Sequence, residues 1–251
     1  MNSATTAPRL FVPDALSEGA AVRLTPAQAH YLRDVMRLSP GATVRLFNGR
    51  DGGWLAEIGS LSKNAATARA AECIQAQRAE PDVWLLFAPI KGPRQDVLVE
   101  KAVELGAAAL WPVLTARGQV RRVNAERLAA QAAEAAEQCE RLSVPEAKPL
   151  AGLPAVLAAW PAGRTLFYAD ETGGGSPAFP AFSAAGAGVP AAILVGPEGG
   201  FSPAELDLLA AASFSKGVGL GPRILRAETA AIASLSLWQA AAGDAALPPE
   251  R

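Results

Sequence analysis

The sequence predicts an α/β protein in which helices cover a mainly parallel sheet, with a small β-rich module in front of it. From VWLLFAP at residues 83–89 onward, apolar runs typical of buried strands alternate with segments of helical periodicity. Before that point, short strand-like runs are separated by turn signals, and AQRAEP at 76–81 is typical of a linker. We therefore expect two domains, at residues 1–75 and 80–245.

The β-rich module is predicted from four short runs with strand character, AVRLT, TVRLFN, WLAEIGSL and AATARAAECI. NGRDGG at 48–53 joins two of them and has the residues of a hairpin turn. One helix interrupts the strands at 25–38, where Thr25 is the expected N-cap and Pro26 occupies the first helical position. This arrangement is typical of a small β-barrel.

The second domain is predicted to alternate strands and helices. We expect its helices at 95–106, at 124–142 after the cap Asn124, from Ser202 onward, and at 228–242. The expected strands are 83–89, ALWPVL, 165–171, 191–196 and 215–221, and TGGGSPAF is expected to be a loop.

Composition excludes several classes of protein. Half of the 251 residues are hydrophobic and 19% are charged, which is typical of a folded chain rather than a disordered one. No uncharged apolar stretch is long enough to span a membrane, and MNSATTAPRL lacks the pattern of a signal peptide, so we expect a cytoplasmic protein without a membrane partner. Cys73 and Cys139 match no zinc spacing, and we expect no metal.

The formal net charge of −1 conceals an uneven distribution. Residues 1–78 hold nine Lys and Arg against six Asp and Glu, whereas residues 79–251 hold fourteen against eighteen. The N-terminal part is therefore the better candidate for a phosphate-contacting surface. A second basic group is formed by Arg117, Arg121, Arg122 and Arg127. Ordinary surface arginines are an equally good explanation of that group.

Two glycine-rich turns follow apolar strands in the second domain. LVGPEGGFSPAEL at 194–206 joins a strand end to a helix start, where Ser202 and Glu205 form a capping box around Pro203. LGPRILRAETA at 220–230 again places Gly and Pro before a helical run. Open α/β sheets bind their ligands at such carboxyl ends of strands. A tight turn without a ligand is the alternative explanation of these glycines.

Elimination narrows the chemistry available to these loops. His30 is the only histidine and lies in the first domain, which excludes a Ser-His-Asp triad in the second. The sequence contains no P-loop, and no GxGxxG follows the first strand of the second domain. What remains is a pair of loops that offer backbone groups to a polar, planar ligand, next to the apolar side chains of Leu220, Ile224 and Leu225.

The two turns together carry a resemblance to a known family. GPEGGFS followed by LGPRILRAETA resembles the C-terminal motifs of the SPOUT superfamily of RNA methyltransferases, and specifically of the ribosomal RNA small-subunit methyltransferase E family. KGPRQDVLVEKAVELG at 91–106, EQCERLSVP at 137–145, RLF and HYLRDVMR resemble other blocks of that family, in the same order. The likeness covers nearly the whole chain and is specific, although Pro93 stands where a smaller or polar residue is expected.

The resemblance implies a PUA-like barrel that engages RNA, followed by a SPOUT domain with a deep C-terminal trefoil knot. It implies a homodimer whose active site lies near the interface and whose cofactor is S-adenosyl-L-methionine. The implied reaction is methyl transfer to N3 of a uridine in 16S ribosomal RNA, within the 30S subunit. Two alternatives stay open: a SPOUT enzyme for another rRNA or tRNA position, and a non-catalytic RNA-binding assembly protein.

The resemblance also implies site residues. Those for the cofactor are Leu194, Gly196, Pro197, Glu198, Gly200, Leu220, Gly221, Ile224 and Leu225. For RNA, the resemblance and the positive charge of the N-terminal part favour Arg9 and Arg37. Lys91 and Arg94 after the first strand of the second domain, and Arg121 and Arg122 of the second basic group, are further predicted RNA contacts.

Arg226 is the predicted catalytic residue, because uridine N3 becomes negatively charged when it loses its proton and a guanidinium can stabilise that charge. An ion pair of Arg226 with Glu228 is the alternative. The sequence leaves the base open between a carboxylate, water and loss of the proton to solvent.

Overall fold

A computed structural model describes residues 6–248 and divides the chain into two compact units. Within the described residues, unit 1 comprises 6–79 and 136–144, and unit 2 comprises 80–135 and 145–248. The predicted domains, 1–75 and 80–245, place residues 136–144 in the second domain, whereas these residues pack in unit 1. The limits of the functional domains stay a prediction.

Unit 1 is built on a five-stranded sheet. Its strands are β1 (Arg9–Phe11), β2 (Ala21–Leu24), β3 (Thr43–Phe47), β4 (Gly53–Leu61) and β5 (Ala66–Gln75). Their order across the sheet is β1-β3-β4-β5-β2. β1 and β3 run parallel, and the other neighbours are antiparallel.

The predicted hairpin at 48–53 is confirmed, since it joins β3 to β4. Its turn is held by the Asn48 side chain, which accepts hydrogen bonds from the backbone N–H groups of Arg50 and Asp51.

The helix predicted at 25–38 is shorter in the structure. Helix α1 (Pro26–His30) begins at the predicted cap, where Thr25 and Gln28 form a capping box. A π-helical turn follows at Tyr31–Val35, and Arg37 adopts a left-handed conformation with φ of 54°. The left-handed residue ends the helix within the predicted range.

Unit 2 contains a sheet of eight strands. The strands are β6 (Val83–Phe87), β7 (Ala109–Leu114), β8 (Glu146–Ala147), β9 (Ala151–Gly152), β10 (Thr165–Ala169), β11 (Ser176–Pro177), β12 (Ala191–Val195) and β13 (Ser215–Gly219). Their order is β11-β13-β10-β12-β6-β7-β8, to which β9 is added beside β7. The paired strands are parallel, as the alternation of strands and helices predicts.

The helices of the remaining chain are α2 (Pro93–Glu104), α3 (Ala125–Gln138), α4 (Leu153–Ala158), α5 (Ala178–Ser183), α6 (Pro203–Ala211) and α7 (Ala227–Ala242). Asn124 caps α3 as expected, because its side chain accepts from the N–H of Arg127 at 2.9 Å. α3 ends before the predicted residue 142, since Glu140 adopts a left-handed φ of 64°. No helix within residues 6–248 has the length and apolarity needed to cross a membrane.

The sheet order brings three strand ends together. β10 lies between β12 and β13, with Tyr168 opposite Leu194 on one side and Ala169 opposite Val218 on the other. Because all three strands run in the same direction, the loops that follow them emerge at one edge of the sheet. The knot that the resemblance implies stays a prediction.

Candidate active site

A cleft lies at the carboxyl ends of β10, β12 and β13. Its volume of about 270 Å³ is close to the lower end of the range of roughly 300–1,000 Å³ for small-molecule sites. Its walls are the three loops that follow these strands, together with the first residues of α7. The position of the cleft agrees with the expectation that the two glycine-rich turns face a ligand.

The loop after β12 forms one wall. Gly196, Pro197 and Gly200 line the cleft, as predicted from the resemblance. Gly200 has a φ of 65° and its N–H donates to the carbonyl of Pro197, which closes the turn. Gly196 has no left-handed φ, but a Cβ there would lie 3.2 Å from the Phe201 ring. Close packing therefore favours a glycine at 196, and the left-handed backbone conformation favours one at 200.

Two residues predicted on this wall lie elsewhere. Leu194 is fully buried in the core of unit 2, because alternate residues of β12 point to opposite faces of the sheet, and Val195 lines the cleft in its place. Glu198 is exposed at the tip of the turn and is not among the lining residues of the cleft. Neither residue lines the cleft, and their role in cofactor binding stays a prediction.

The loop after β13 forms the second wall. Leu220, Gly221, Ile224 and Leu225 line the cleft as predicted. Ile224 is 83% exposed, which is the largest exposure among the large hydrophobic side chains described. An isoleucine so placed leaves an apolar surface at the cleft that a ligand can cover.

The loop after β10 is a third wall that the sequence analysis missed. Residues 170–173 line the cleft, and Asp170 is fixed by hydrogen bonds that its Oδ1 accepts from the N–H and the hydroxyl of Thr172, at 2.9 and 2.7 Å. The carboxylate of Glu171 lies against Gly200, where a Cβ would collide with it. The available signal was two carboxylates at the end of an apolar run, which the sequence analysis assigns to the strand at 165–171, whereas β10 ends at Ala169.

The cleft carries both signs of charge. Asp170 and Glu171 lie on one loop and Arg223 lies on another. Burial raises the pKa of the Tyr168 phenol, and the nearby Asp170 carboxylate raises it further. This tyrosine, which packs in the core of unit 2 just before Asp170, is therefore neutral at physiological pH.

Arg226 is the N-cap residue of α7 and is exposed. Its side chain makes no hydrogen bond or ion pair with the described part of the chain. Glu228 pairs instead with Arg94, whose Nε lies 3.7 Å from Glu228 Oε1. The alternative in which Arg226 pairs with Glu228 is thus not what the structure contains, and the Arg226 guanidinium is available to a ligand.

Two family models match the chain. One, described as an RNA methyltransferase domain, matches residues 78–239, and the other, described as an RNA methyltransferase PUA domain, matches residues 24–70. The ribosomal RNA small subunit methyltransferase E of Rickettsia conorii is 34% identical, over 91% of this chain and 93% of that protein. The chain belongs to the ribosomal RNA small subunit methyltransferase E family.

Further members of this methyltransferase family are similar over most of the chain. The protein of the same name from Synechocystis is 37% identical, over 91% of this chain and 76% of the relative. The Neisseria gonorrhoeae member, in a crystal structure bound to S-adenosyl methionine, has a TM-score of 0.83 and 30% identity and covers 95% of this chain and 99% of its own. A putative methyltransferase from Legionella pneumophila, in complex with the same cofactor, has a TM-score of 0.82 and 29% identity, with coverages of 95% and 99%. The α/β fold with an N-terminal PUA domain is therefore that of this family.

The predicted RNA residues of this methyltransferase are in different environments. Arg37, Lys91 and Arg122 are exposed and make no side-chain hydrogen bond or ion pair within residues 6–248. Arg94 is held by Glu228, and Arg121 donates to the carbonyl oxygens of Thr115 and Ala116.

Arg9 differs from the other predicted RNA residues because it is 9% exposed. Its guanidinium donates to the carbonyls of Ala136, Glu137 and Arg141 and lies over the Phe47 ring. Two of these carbonyls belong to the last turn of α3, where a cation is favourable. Burial lowers the pKa of this guanidinium, and the charge of Arg45 lowers it further. Arg9 therefore stabilises unit 1, and the structure does not favour it as a phosphate contact.

Residues 6–248 contain no group of three or more His, Cys, Asp or Glu side chains arranged to hold a metal ion. His30 is an exposed residue whose Nδ1 lies 2.5 Å from Asp34 Oδ2. This carboxylate also accepts hydrogen bonds from Arg33, which lower the pKa of Asp34 to about 2. His30 is thus part of a surface charge cluster on α1 and its π-helical turn.

Proposed function

We propose that this chain transfers a methyl group from S-adenosyl-L-methionine to N3 of a uridine in 16S ribosomal RNA. The observation that carries the proposal is the cleft at the ends of β10, β12 and β13, in a chain whose relatives of known structure were crystallised with this cofactor. The names of its relatives support a small-subunit rRNA substrate. The uridine and its N3 position come from the motif resemblance.

The residues of the cleft suit the cofactor. Gly196, Gly200 and Gly221 line its walls, and because they carry no Cβ the backbone there is open to a ligand. Leu220, Ile224 and Leu225 offer apolar surface for an adenine ring. The carboxylates of Asp170 and Glu171 offer negative charge to a cationic ligand. When bound, S-adenosylmethionine supplies an electrophilic methyl group on a positively charged sulfur.

Arg226 has the properties needed to stabilise the reacting uridine. N3 must lose its proton before it can form a bond to the methyl carbon, and the resulting negative charge spreads over the ring and its carbonyl oxygens. A guanidinium can meet two such acceptors at once and is permanently charged. Arg226 follows directly on the loop that lines the cleft and has its donors available.

RNA binding is proposed for the exposed cations and the N-terminal module. Arg37 and the basic residues of 91–94 and 121–122 present charge to phosphates, and release of counterions favours such contacts. The match of residues 24–70 to a PUA domain of RNA methyltransferases supports the same role for unit 1. An enzyme with this substrate works on the 30S subunit in the cytoplasm.

A homodimer completes the proposal and rests on the resemblance alone. Sedimentation at micromolar concentration is expected to give about twice the mass of the chain, in line with the predominance of two-fold oligomers. An active monomer would refute this part.

The function is tested in a strain that lacks the gene for this chain. Mass spectrometry of its 16S ribosomal RNA should show one methyl group missing from a single uridine, and the intact gene should restore it. An unchanged 16S rRNA together with a missing methyl on another rRNA or tRNA would favour the rival SPOUT specificity. No missing methyl anywhere would favour an assembly protein without catalytic activity.

A further inference from the structure

Residues 115–122, which we call the basic loop, follow β7 and lie against the glycine-rich turn of the cleft. The Arg117 guanidinium donates to the carbonyl of Gly199 at 2.9 Å. The backbone N–H of Ala116 donates to Oε1 of Glu205 at 2.7 Å. Both contacts join segments more than 80 residues apart in the sequence, and neither was expected from the motifs.

Glu205 makes more contacts than a helix cap requires. Its Oε2 accepts from the backbone N–H and the hydroxyl of Ser202, at 2.8 and 2.9 Å, as in a capping box. Its Oε1 is left for Ala116 of the basic loop. The residue is only 7% exposed, and a buried carboxylate is tolerated when its oxygens are hydrogen-bonded. One carboxylate thus holds two separate segments.

The basic loop is organised around the residue that Glu205 holds. Thr115 is buried, and its carbonyl accepts from the N–H of Gly118 at 3.3 Å. The Arg121 guanidinium donates to the carbonyls of Thr115 and Ala116, at 3.2 and 3.4 Å. Ala116 therefore lies between Glu205 on one side and Arg121 on the other, so displacement of Ala116 displaces the arginine.

We propose that Glu205 is a positioning residue that holds the basic loop in register with the turn at 196–202, so that Arg121 and Arg122 meet RNA beside the cofactor. This inference rests on the proposed function for the identity of the two ligands. Besides capping α6, Glu205 would thus hold the basic loop through its hydrogen bond with Ala116.

The direction of the change in RNA affinity distinguishes a positioning role of Glu205 from a direct electrostatic effect of its negative charge. A carboxylate near phosphates repels them, so the loss of its charge alone would strengthen RNA binding. If Glu205 acts through the position of the basic loop, its replacement weakens RNA binding instead. The two explanations predict opposite directions.

Two variants separate the contact of Glu205 with Ala116 from its contact with Ser202. Glu205→Gln keeps an oxygen for Ser202, because a capping box accepts Gln, but turns an N–H₂ group towards the N–H of Ala116. Ser202→Ala removes the cap hydroxyl and keeps the bond between Glu205 and Ala116. The first variant releases the basic loop and the second loosens only the start of α6.

The test combines amide hydrogen exchange with binding of 30S subunits and of S-adenosylmethionine by the whole protein. Glu205→Gln should speed exchange in 115–122 and weaken 30S binding about five- to tenfold, the equivalent of one hydrogen bond. Ser202→Ala should speed exchange in the first turn of α6 and leave 30S binding nearly unchanged. Cofactor affinity of Glu205→Gln should stay close to that of the parent.

Several results would overturn the inference. Unchanged exchange in 115–122, unchanged or tighter 30S binding by Glu205→Gln, or equal weakening in both variants would each refute it. The parent alone gives a further test if the variant does not fold, because an Ala116 amide that exchanges as fast as an exposed loop amide also refutes it. A parent that binds neither cofactor nor 30S subunits refutes the proposed function, and exchange then still decides whether Glu205 holds the loop.

Discussion

The loop after β12 and the loop after β13 face the same cleft but are held in opposite ways. Residues 196–202 are fixed by side chains from outside the turn, namely Glu205 at Ser202 and Arg117 at Gly199. In residues 220–226, the side chains of Arg223, Ile224 and Arg226 are exposed, with Ile224 83% exposed and the Arg226 guanidinium without a partner in the described chain. The loop after β12 therefore presents fixed backbone groups to the cleft, and the loop after β13 presents side chains that are free to contact a ligand.

This difference indicates that the two loops contribute to ligand binding and catalysis in different ways. Groups that are already oriented stabilise charge without reorganisation, whereas exposed side chains must be ordered when a ligand binds. We therefore expect substitutions in the fixed loop to change stability and cofactor binding together. Substitutions in the exposed loop should change binding or rate and leave stability alone.

The largest expected effect is in the exposed loop. Arg226→Ala should lower the rate of methyl transfer about 10²- to 10³-fold, as typical for loss of a charge-stabilising donor. Single-turnover transfer to 30S subunits at saturating cofactor and RNA isolates this step. Arg226→Lys keeps the charge without the planar fork and should recover only part of the rate. An unchanged rate in Arg226→Ala would assign the anion to another group.

Unit 1 contains the same contrast between a side chain held by the protein, Arg9, and an exposed side chain, Arg37. Arg9→Ala should lower the free energy of unfolding by about 2–3 kcal/mol, because the variant lacks a charged donor to three carbonyls.

Arg37→Ala should leave the free energy of unfolding within about 0.5 kcal/mol of the parent. It should instead weaken RNA binding and flatten the log–log salt dependence by about 0.7 for each phosphate that the side chain neutralises. Urea unfolding and RNA titration at several salt concentrations measure both, and an Arg9→Ala protein as stable as the parent contradicts the structural assignment.

The fixed loop can be tested at its left-handed glycine. Gly200→Ala should lower stability by about 1–2 kcal/mol, the strain of a left-handed residue with a Cβ. It should also weaken cofactor binding, because the new methyl group displaces Glu171 at the cleft. Gly188→Ala is the matched control, since Gly188 has a φ of 77°, an open environment and no place in the cleft. Equal cofactor affinity in the two variants would mean that the wall at Gly200 does not contact the ligand.

The smallest expected effect comes from the exposed apolar side chain. Ile224→Ser should weaken cofactor binding about four- to fifteenfold, the equivalent of one or two buried methylene groups, with an unchanged melting temperature. Leu247→Ser is the control, because Leu247 is 69% exposed and lies outside the cleft. Calorimetric titration with S-adenosylmethionine measures both. A drop in melting temperature for Ile224→Ser alone would show that this loop is packed rather than open.

The sequence predicted the parts of the structure that depend on local chemistry. The N-cap Thr25 and the capping box of Ser202 with Glu205 start helices where they were expected, because the cap bonds join residues three apart. The apolar runs of β6, β10 and β12 were likewise predicted as buried strands. The carboxyl ends of parallel strands then predicted where the cleft would lie.

What the sequence did not predict depends on contacts between distant segments. The loop at 170–173 lines the cleft because β10 lies between β12 and β13, an order that periodicity does not contain. The bond from Ala116 to Glu205 spans 89 residues. The burial of Arg9 depends on a carbonyl of the last turn of α3, 127 residues away in the sequence, and nothing in the local sequence around Arg9 indicates that contact.

We propose that the cleft formed by the three loops methylates uridine N3 of 16S ribosomal RNA. The most direct measurement incubates the purified protein with 30S subunits from the deletion strain and methyl-labelled S-adenosylmethionine, then digests the rRNA to nucleosides for chromatography with mass spectrometry. We expect the label to co-elute with 3-methyluridine and Arg226→Ala to slow its appearance greatly. Label in a ribose-methylated or other base-methylated nucleoside, or no label from a protein that binds the cofactor, would contradict it.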